Sequence, residues 1–281
     1  MAWTKTGPMD GYPQILIFDA KTKKRVNCLT IEDHELVTVE FSKNSNMLLV
    51  VSFNNQAGDK ERSTLSVWDF MEGRRDYFCK SVVPFKVLSA KWNFYLDQAD
   101  EFVSITQTKY HYWRIDKNLQ MQYQPGKLPA GWTAKQNLTA CCYVEPCLDQ
   151  NSIYLLIGLS DGTVWVLDTR TNYFLYQAKI LDSRISKITC TTARIVVEGA
   201  DDTKVHSWEL KKVINDFEYD ASDPNYFFSG NDVTLTLDGF PSASHYDDTA
   251  RQVIFLSTNG SFWLFDFLDK ATVKLKSCHI P

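Results

Sequence analysis

Six short β-type runs recur along the chain, each closing on an aromatic or large apolar residue: Ile15-Leu-Ile-Phe18-Asp19, Leu65-Ser-Val-Trp68-Asp69, Tyr110-His-Tyr-Trp113-Arg114, Val164-Trp-Val-Leu167-Asp168, Val205-His-Ser-Trp208-Glu209 and Phe262-Trp-Leu-Phe265-Asp266. With Phe18, Trp68, Trp113, Leu167, Trp208 and Phe265 as the marks, the spacings are 50, 45, 54, 41 and 57 residues. This constrains the fold more than composition does. A self-similar period of about 20–50 residues means repeated units that cannot bury their apolar faces alone and must stack on their neighbours. The six marked residues are therefore expected to pack between adjacent repeats.

The intervals are filled with further β-type runs. Leu36–Phe41 and Met47–Phe53 precede Trp68; Val87–Trp92 and Glu101–Thr106 precede Trp113. Leu138–Tyr143 and Ile153–Ile157 precede Leu167, Ile185–Thr189 and Arg194–Glu198 precede Trp208, and Phe240–His245 and Gln252–Leu256 precede Phe265. Enrichment in Val, Ile, Thr and aromatics favours strands over helices of equal length. Ser160-Asp-Gly162 and Thr258-Asn-Gly260 stand before marked strands, and Asp-Gly and Asn-Gly supply the positive φ that tight hairpins need. A fourth run follows each mark, such as Phe174–Lys179 and Val273–Lys276. Four antiparallel strands per repeat make a propeller blade. The expectation is an all-β propeller, or a large arc of one, over residues 15–281 after an N-terminal lead at 1–14. Half a blade falls at 15–31 and five fuller blades at 34–83, 85–135, 136–180, 185–237 and 239–278, with a polar insertion between blades at 211–232. Open blade edges are an aggregation hazard that ring closure removes, so more of its own chain, or a partner, is expected to complete the ring.

Composition narrows the function classes. At 44% hydrophobic and 14% aromatic, the 281 residues can fill a large core, which excludes disordered and collagen-like chains. A net charge of −4 argues against nucleic acid as main partner, since phosphate binding needs a basic surface. No run of eighteen apolar residues offers a membrane span, and the N-terminus has no apolar signal-peptide core. The seven cysteines are odd in number and mostly sit in apolar runs, as reduced core thiols of an intracellular protein would. Cys141-Cys142 with Cys147 lack the second CxxC or His pair of a zinc set. The five histidines (His34, His111, His206, His245 and His279) show no ligand spacing, and His111 and His206 each share a strand face with a marked Trp. Asp201-Asp202 and Asp247-Asp248 are too sparse for a calcium loop, and no phosphate-binding glycine motif occurs. No catalytic, metal-binding or cofactor-binding residue is therefore expected, and the chain reads as a non-enzyme.

The basic residues are distributed unevenly. In a four-stranded antiparallel blade, successive loops alternate between two faces, so every turn after a marked strand emerges on one face. These turns carry Lys21, Lys23, Lys24, Arg25, Arg74, Arg75, Lys117, Arg170, Lys211, Lys212 and Lys270, 11 of the 30 Lys and Arg residues, with few acids among them. The opposite loops hold Asp59, Glu61, Asp161, Asp201 and Asp202. The pattern suggests a basic rim on an acidic protein; the alternative is that Lys and Arg simply favour exposed turns.

These repeats resemble a WD-repeat propeller of the kind found in EML-type microtubule-associated proteins and their ciliary and centriolar tandem-propeller relatives. Three stretches carry the likeness: Ser52–Asp69 with its long polar loop; Glu101-Phe-Val-Ser-Ile-Thr with His111-Tyr-Trp113 and then Lys135-Gln-Asn-Leu-Thr and Gly158-Leu-Ser-Asp-Gly-Thr; and Leu237-Asp-Gly-Phe-Pro-Ser-Ala-Ser with Ser257-Thr-Asn-Gly-Ser-Phe-Trp263. The chain departs from the common pattern in lacking Gly-His dipeptides, and Arg114 and Glu209 replace the acid Asp after two marks. The resemblance implies a non-catalytic scaffold of the cytoplasm and cytoskeleton, in a ciliary axoneme or a centriole. Its loops would bind tubulin and neighbouring proteins, the basic rim meeting tubulin's acidic surface. The other expectation is a general WD-repeat adaptor in ubiquitin-ligase, trafficking or signalling complexes.

Overall fold

The computed structural model of the chain describes residues 2–5, 12–19, 21–54, 61–70, 77–93, 100–130, 132, 136–144, 153–190, 194–209, 233–247, 252–267 and 271–277. Among these residues the structure is all-β, and the chain divides into two compact units, Met1–Gly126 and Lys127–Pro281.

The first unit holds three antiparallel sheets. β1 (Ala2–Lys5), β2 (Gln14–Phe18) and β3 (Arg25–Thr30) form the first, in that order. β4 (Glu35–Phe41), β5 (Met47–Asn54), β6 (Arg62–Asp69) and β7 (Cys79–Val83) form the second; β8 (Ser89–Trp92), β9 (Glu101–Ile105), β10 (Tyr110–Ile115) and β11 (Met121–Pro125) form the third. The second unit holds three more: β12 (Leu138–Tyr143) to β15 (Tyr173–Lys179) through β13 (Tyr154–Leu159) and β14 (Thr163–Asp168); β16 (Ile185–Cys190) to β19 (Val233–Thr236) through β17 (Arg194–Gly199) and β18 (Lys204–Glu209); and β20 (Pro241–Asp247) to β23 (Ala271–Ser277) through β21 (Gln252–Ser257) and β22 (Ser261–Asp266). Each is an up-and-down meander with strands in sequence order. The marked runs become β2, β6, β10, β14, β18 and β22.

One element differs from the sequence reading. The leading sheet has three strands, because Ala2–Lys5, inside the stretch read as a lead, pairs with β2 in the register Ala2↔Ile17 to Lys5↔Gln14. Four residues, Ala-Trp-Thr-Lys, with no apolar–polar alternation carry too little signal to stand out as a strand. The stretch read as an insertion, 211–232, lies outside the described residues.

The meander explains the apolar pattern. Middle strands pair along both edges, and two of them read as nearly unbroken hydrophobic runs: Leu48-Leu-Val-Val51 in β5 and Leu155-Leu-Ile157 in β13 are fully buried. Fourth strands lie at an edge, and β11 and the described side chains of β23 are largely exposed. Turn chemistry follows local sequence. Gly162 and Gly260 take φ of 84° and 75° in the β13–β14 and β21–β22 hairpins, a region in which a Cβ would be strained.

Candidate functional site

The marked residues lie mostly in the apolar layers between sheets. Trp68 joins Ile15, Ile17 and Leu29 of the first sheet; Trp113 joins Leu49, Val51, Leu65 and Val67 of the second. In the second unit, Trp208 packs with Leu156, Val164 and Val166, and Phe265 with Val196, Val205 and Leu235. In each of these four cases the marked side chain packs toward the preceding sheet. Leu167 is fully buried on the opposite face of its sheet from Val164 and Val166, and Phe18 is half-buried on the face opposite Ile15 and Ile17. Burying such a side chain contributes about 1.5–3 kcal/mol. The indoles are also hydrogen-bonded, Trp68 Nε1 to Ser66 Oγ at 2.9 Å and Trp113 Nε1 to Ser104 Oγ at 2.8 Å.

The histidines sharing a face with marked tryptophans are packed. His206 stacks on Trp208 at 5.9 Å. His111 stacks on Phe85 at 4.9 Å and meets Tyr123 edge-on. Burial, reinforced by the charge of Lys109, holds His111 below the usual histidine range. Cys141 and Cys142 are buried on β12, and Cys147 lies outside the described residues. Among the described residues, no group of three or more His, Cys, Asp or Glu side chains converges as metal ligands would.

Of the residues expected to form a basic rim, Lys21, Lys23, Lys24 and Arg25 are exposed in the β2–β3 turn, Lys117 is exposed in the β10–β11 turn and Arg170 in the β14–β15 turn. Arg74, Arg75, Lys211, Lys212 and Lys270 lie outside the described residues. The turns share a construction that the sequence reading missed. An aspartate opens each one and accepts backbone N–H bonds: Asp19 Oδ1 from Lys21 and Thr22 (2.9 and 2.6 Å), Asp116 Oδ1 from Asn118 and Gln120 (2.8 and 2.9 Å), and Asp168 Oδ1 from Arg170 (3.0 Å). A residue three or four places on takes the left-handed conformation: Lys23 at φ 56°, Leu119 at 61° and Asn172 at 52°. The Asp with short-range backbone bonds is the available signal, since Asx turns are local and legible. The hydrogen bonds from the Thr22 backbone and hydroxyl keep the Asp19 carboxyl below the usual carboxylate range.

These caps change the electrostatic picture. Asp116 stands against Lys117 and Asp168 against Arg170, so both turns are close to neutral. In the β2–β3 turn a single carboxylate, Asp19, faces four cations within five residues. Among these described turns the positive excess is concentrated there. Across the sheets, Asp161 of the β13–β14 turn is likewise engaged. Burial pushes its carboxyl up, but bonds from Gln136 and Thr163 and the nearby Lys179 outweigh that and lower it.

No family model matches the chain. It is 23% identical over 249 residues, 87% of its length, to human WD repeat-containing protein 90, of which it spans 13%. Its structure is similar to the β-propeller domain of Myceliophthora thermophila Cps50 (Swd1), with a TM-score of 0.74 at 14% identity over all of this chain and 83% of that one. It is also similar to the computationally designed protein Ika8, with a TM-score of 0.55 at 17% identity over 97% of this chain and 70% of that one. The chain therefore has a β-propeller fold, and its likeness to human WD repeat-containing protein 90 supports a propeller of the WD-repeat type.

Proposed function

We propose that the chain is a non-catalytic, protein-binding part of a WD-repeat scaffold, and that it is microtubule-associated, with the β2–β3 turn meeting the acidic surface of tubulin. The observation that carries this reading is the concentration of Lys21, Lys23, Lys24 and Arg25 on an exposed turn whose one acid, Asp19, is occupied with the turn's own backbone. The likeness of the repeats to EML-type proteins supports tubulin as the acidic polymer, in an axoneme or a centriole. The test is co-pelleting with microtubules. Lys23→Asn with Lys24→Gln removes two charges while keeping a residue that tolerates the left-handed conformation. Surface charge pairs contribute about 0.2–1 kcal/mol each, so affinity should fall about two- to thirtyfold at low salt. The difference should shrink at 0.3 M salt, where screening is stronger. Pelleting that ignores both salt and the substitutions would sink the proposal.

The reading as a general adaptor is favoured by a different observation, the aromatic cleft between the first two sheets, which is concave and carries a few polar groups, as ligand-holding sites are.

A further inference from the structure

Between the first and second sheets, within the first unit, lies a cleft of about 390 Å³. Its floor carries Asp33, which is 5% exposed. Ser52 Oγ donates to Asp33 Oδ2 at 2.6 Å, and no described residue donates to the other carboxylate oxygen. One wall is aromatic: Trp68 and Tyr77 meet edge to face at 5.8 Å, and Tyr77 remains 43% exposed. At the rim, Glu32 pairs with Lys80 at 2.5 Å, and the Lys80 ammonium sits 5.1 Å above the Tyr77 ring.

The charges lining the cleft do not balance. Two carboxylates, Glu32 and Asp33, stand against one cation, Lys80, and that cation already demonstrates that the Tyr77 face attracts positive charge. The Asp33 side chain is nine-tenths buried and turns its second oxygen to the open cleft, so a cation entering there meets a carboxylate that is only partly screened by solvent. We propose that this cleft takes an arginine side chain carried on an extended segment of a partner protein. The planar guanidinium lies against Tyr77 and Trp68 and directs its N–H groups to Asp33 and Glu32. Arginine fits better than lysine because its fork matches a carboxylate and its plane stacks on an aromatic face. At 390 Å³ the space lies near the lower end of small-ligand pockets, roughly 300–1,000 Å³, which suits one long side chain. This site is independent of the tubulin reading: it is acidic and aromatic, and it seeks a basic peptide where the β2–β3 turn seeks an acidic surface.

The full chain labelled with 5-fluorotryptophan provides the test, the Trp68 fluorine resonance being assigned by its loss in Trp68→Phe. Titration with the peptide acetyl-Gly-Arg-Gly-amide should shift that resonance saturably. The citrulline peptide, which has the same shape without the charge, should bind about tenfold more weakly or not at all. Glu32→Gln, at the exposed rim, and Asp33→Asn, which can still accept the Ser52 bond, should each weaken the arginyl peptide severalfold. Equal shifts from the two peptides would overturn the assignment. So would no shift, or undiminished affinity in variants whose melting matches the parent.

Discussion

His111 sits in the core with one ring nitrogen left without a partner among the described residues. Its ring is 4% exposed, sandwiched beside Phe85 and Tyr123, and its Nδ1 has no hydrogen bond among the described residues. Protonating it in place would bury a charge next to Lys109, so the folded chain keeps the ring neutral below the ordinary value of 6.5. The unfolded chain binds that proton more readily. Stability is therefore at its full value above about pH 6.5 and falls as the pH drops from there toward the depressed folded value. His111→Phe keeps the stack and has nothing to titrate. Urea midpoints of parent and variant should diverge between pH 7.5 and 5.5, the parent losing more; parallel losses would show that His111 is not the sensitive group. The sequence placed His111 on the face of Trp113 but gave no hint of Phe85, because that contact joins residues with no periodic relation.

At the scale of elements, the connections entering a sheet are held by aspartates. Asp33 before β4 accepts from Ser52 at the end of β5, and Asp238 before β20 accepts from Ser257 at the end of β21. Asp238 is the larger hub: it also takes bonds from Ser261 (2.6 Å), Trp263 Nε1 (3.2 Å) and Lys274 Nζ (2.7 Å), while Asn259 bonds its carbonyl. The Lys274 bond foremost, then Ser261, lowers its carboxyl far below the usual range against a modest cost of burial, with Ser257 and Trp263 adding to the effect. A carboxyl with a depressed folded value contributes its stability above the ordinary 3.8 and loses it as pH falls through the folded value. Asp238→Asn should lower the melting temperature at pH 6, and the gap to the parent should close as pH is taken toward 2. A gap independent of pH would mean that shape rather than charge holds the connection. The strands around these latches were legible from apolar periodicity and β-branched content, and nearly every run named from the sequence is a strand within a residue or two. The latches were not, because an aspartate in a loop reads as solvated until the serine it meets, some 19 residues on, is brought beside it by the meander. Lysines tie neighbouring sheets in the same hidden way, Lys91 to Glu40 at 3.0 Å and Lys187 to Ser244 at 2.7 Å.

The whole molecule depends on how closely sheets stack. In the second unit Gly158 of β13 faces Ile185 of the next sheet so closely that an added Cβ would lie 2.7 Å from Ile185 Cγ2. Gly158→Ala should destabilise the chain by about 1–3 kcal/mol, as overpacking does. The cost should be less than additive with Ile185→Ala in chemical denaturation, because the second change opens the space the first one fills. Additive losses would place the strain within β13 itself. The repeat period alone could announce stacking; the spacing that stacking requires depends on a glycine whose meaning appears only when the adjacent sheet is present.

The orientation of the marked side chains bears on how such a chain is made. Trp68, Trp113, Trp208 and Phe265 each insert into a layer shared with the sheet that precedes them. Ribosomes add about 5–20 residues per second, so a repeat of this period leaves the exit tunnel every few seconds. Each newly emerged tryptophan or phenylalanine then meets a partner surface that is already outside and already paired. For these four sheets synthesis thus runs in the same direction as assembly: each can be templated by the one before it, with no need to wait for the one to come.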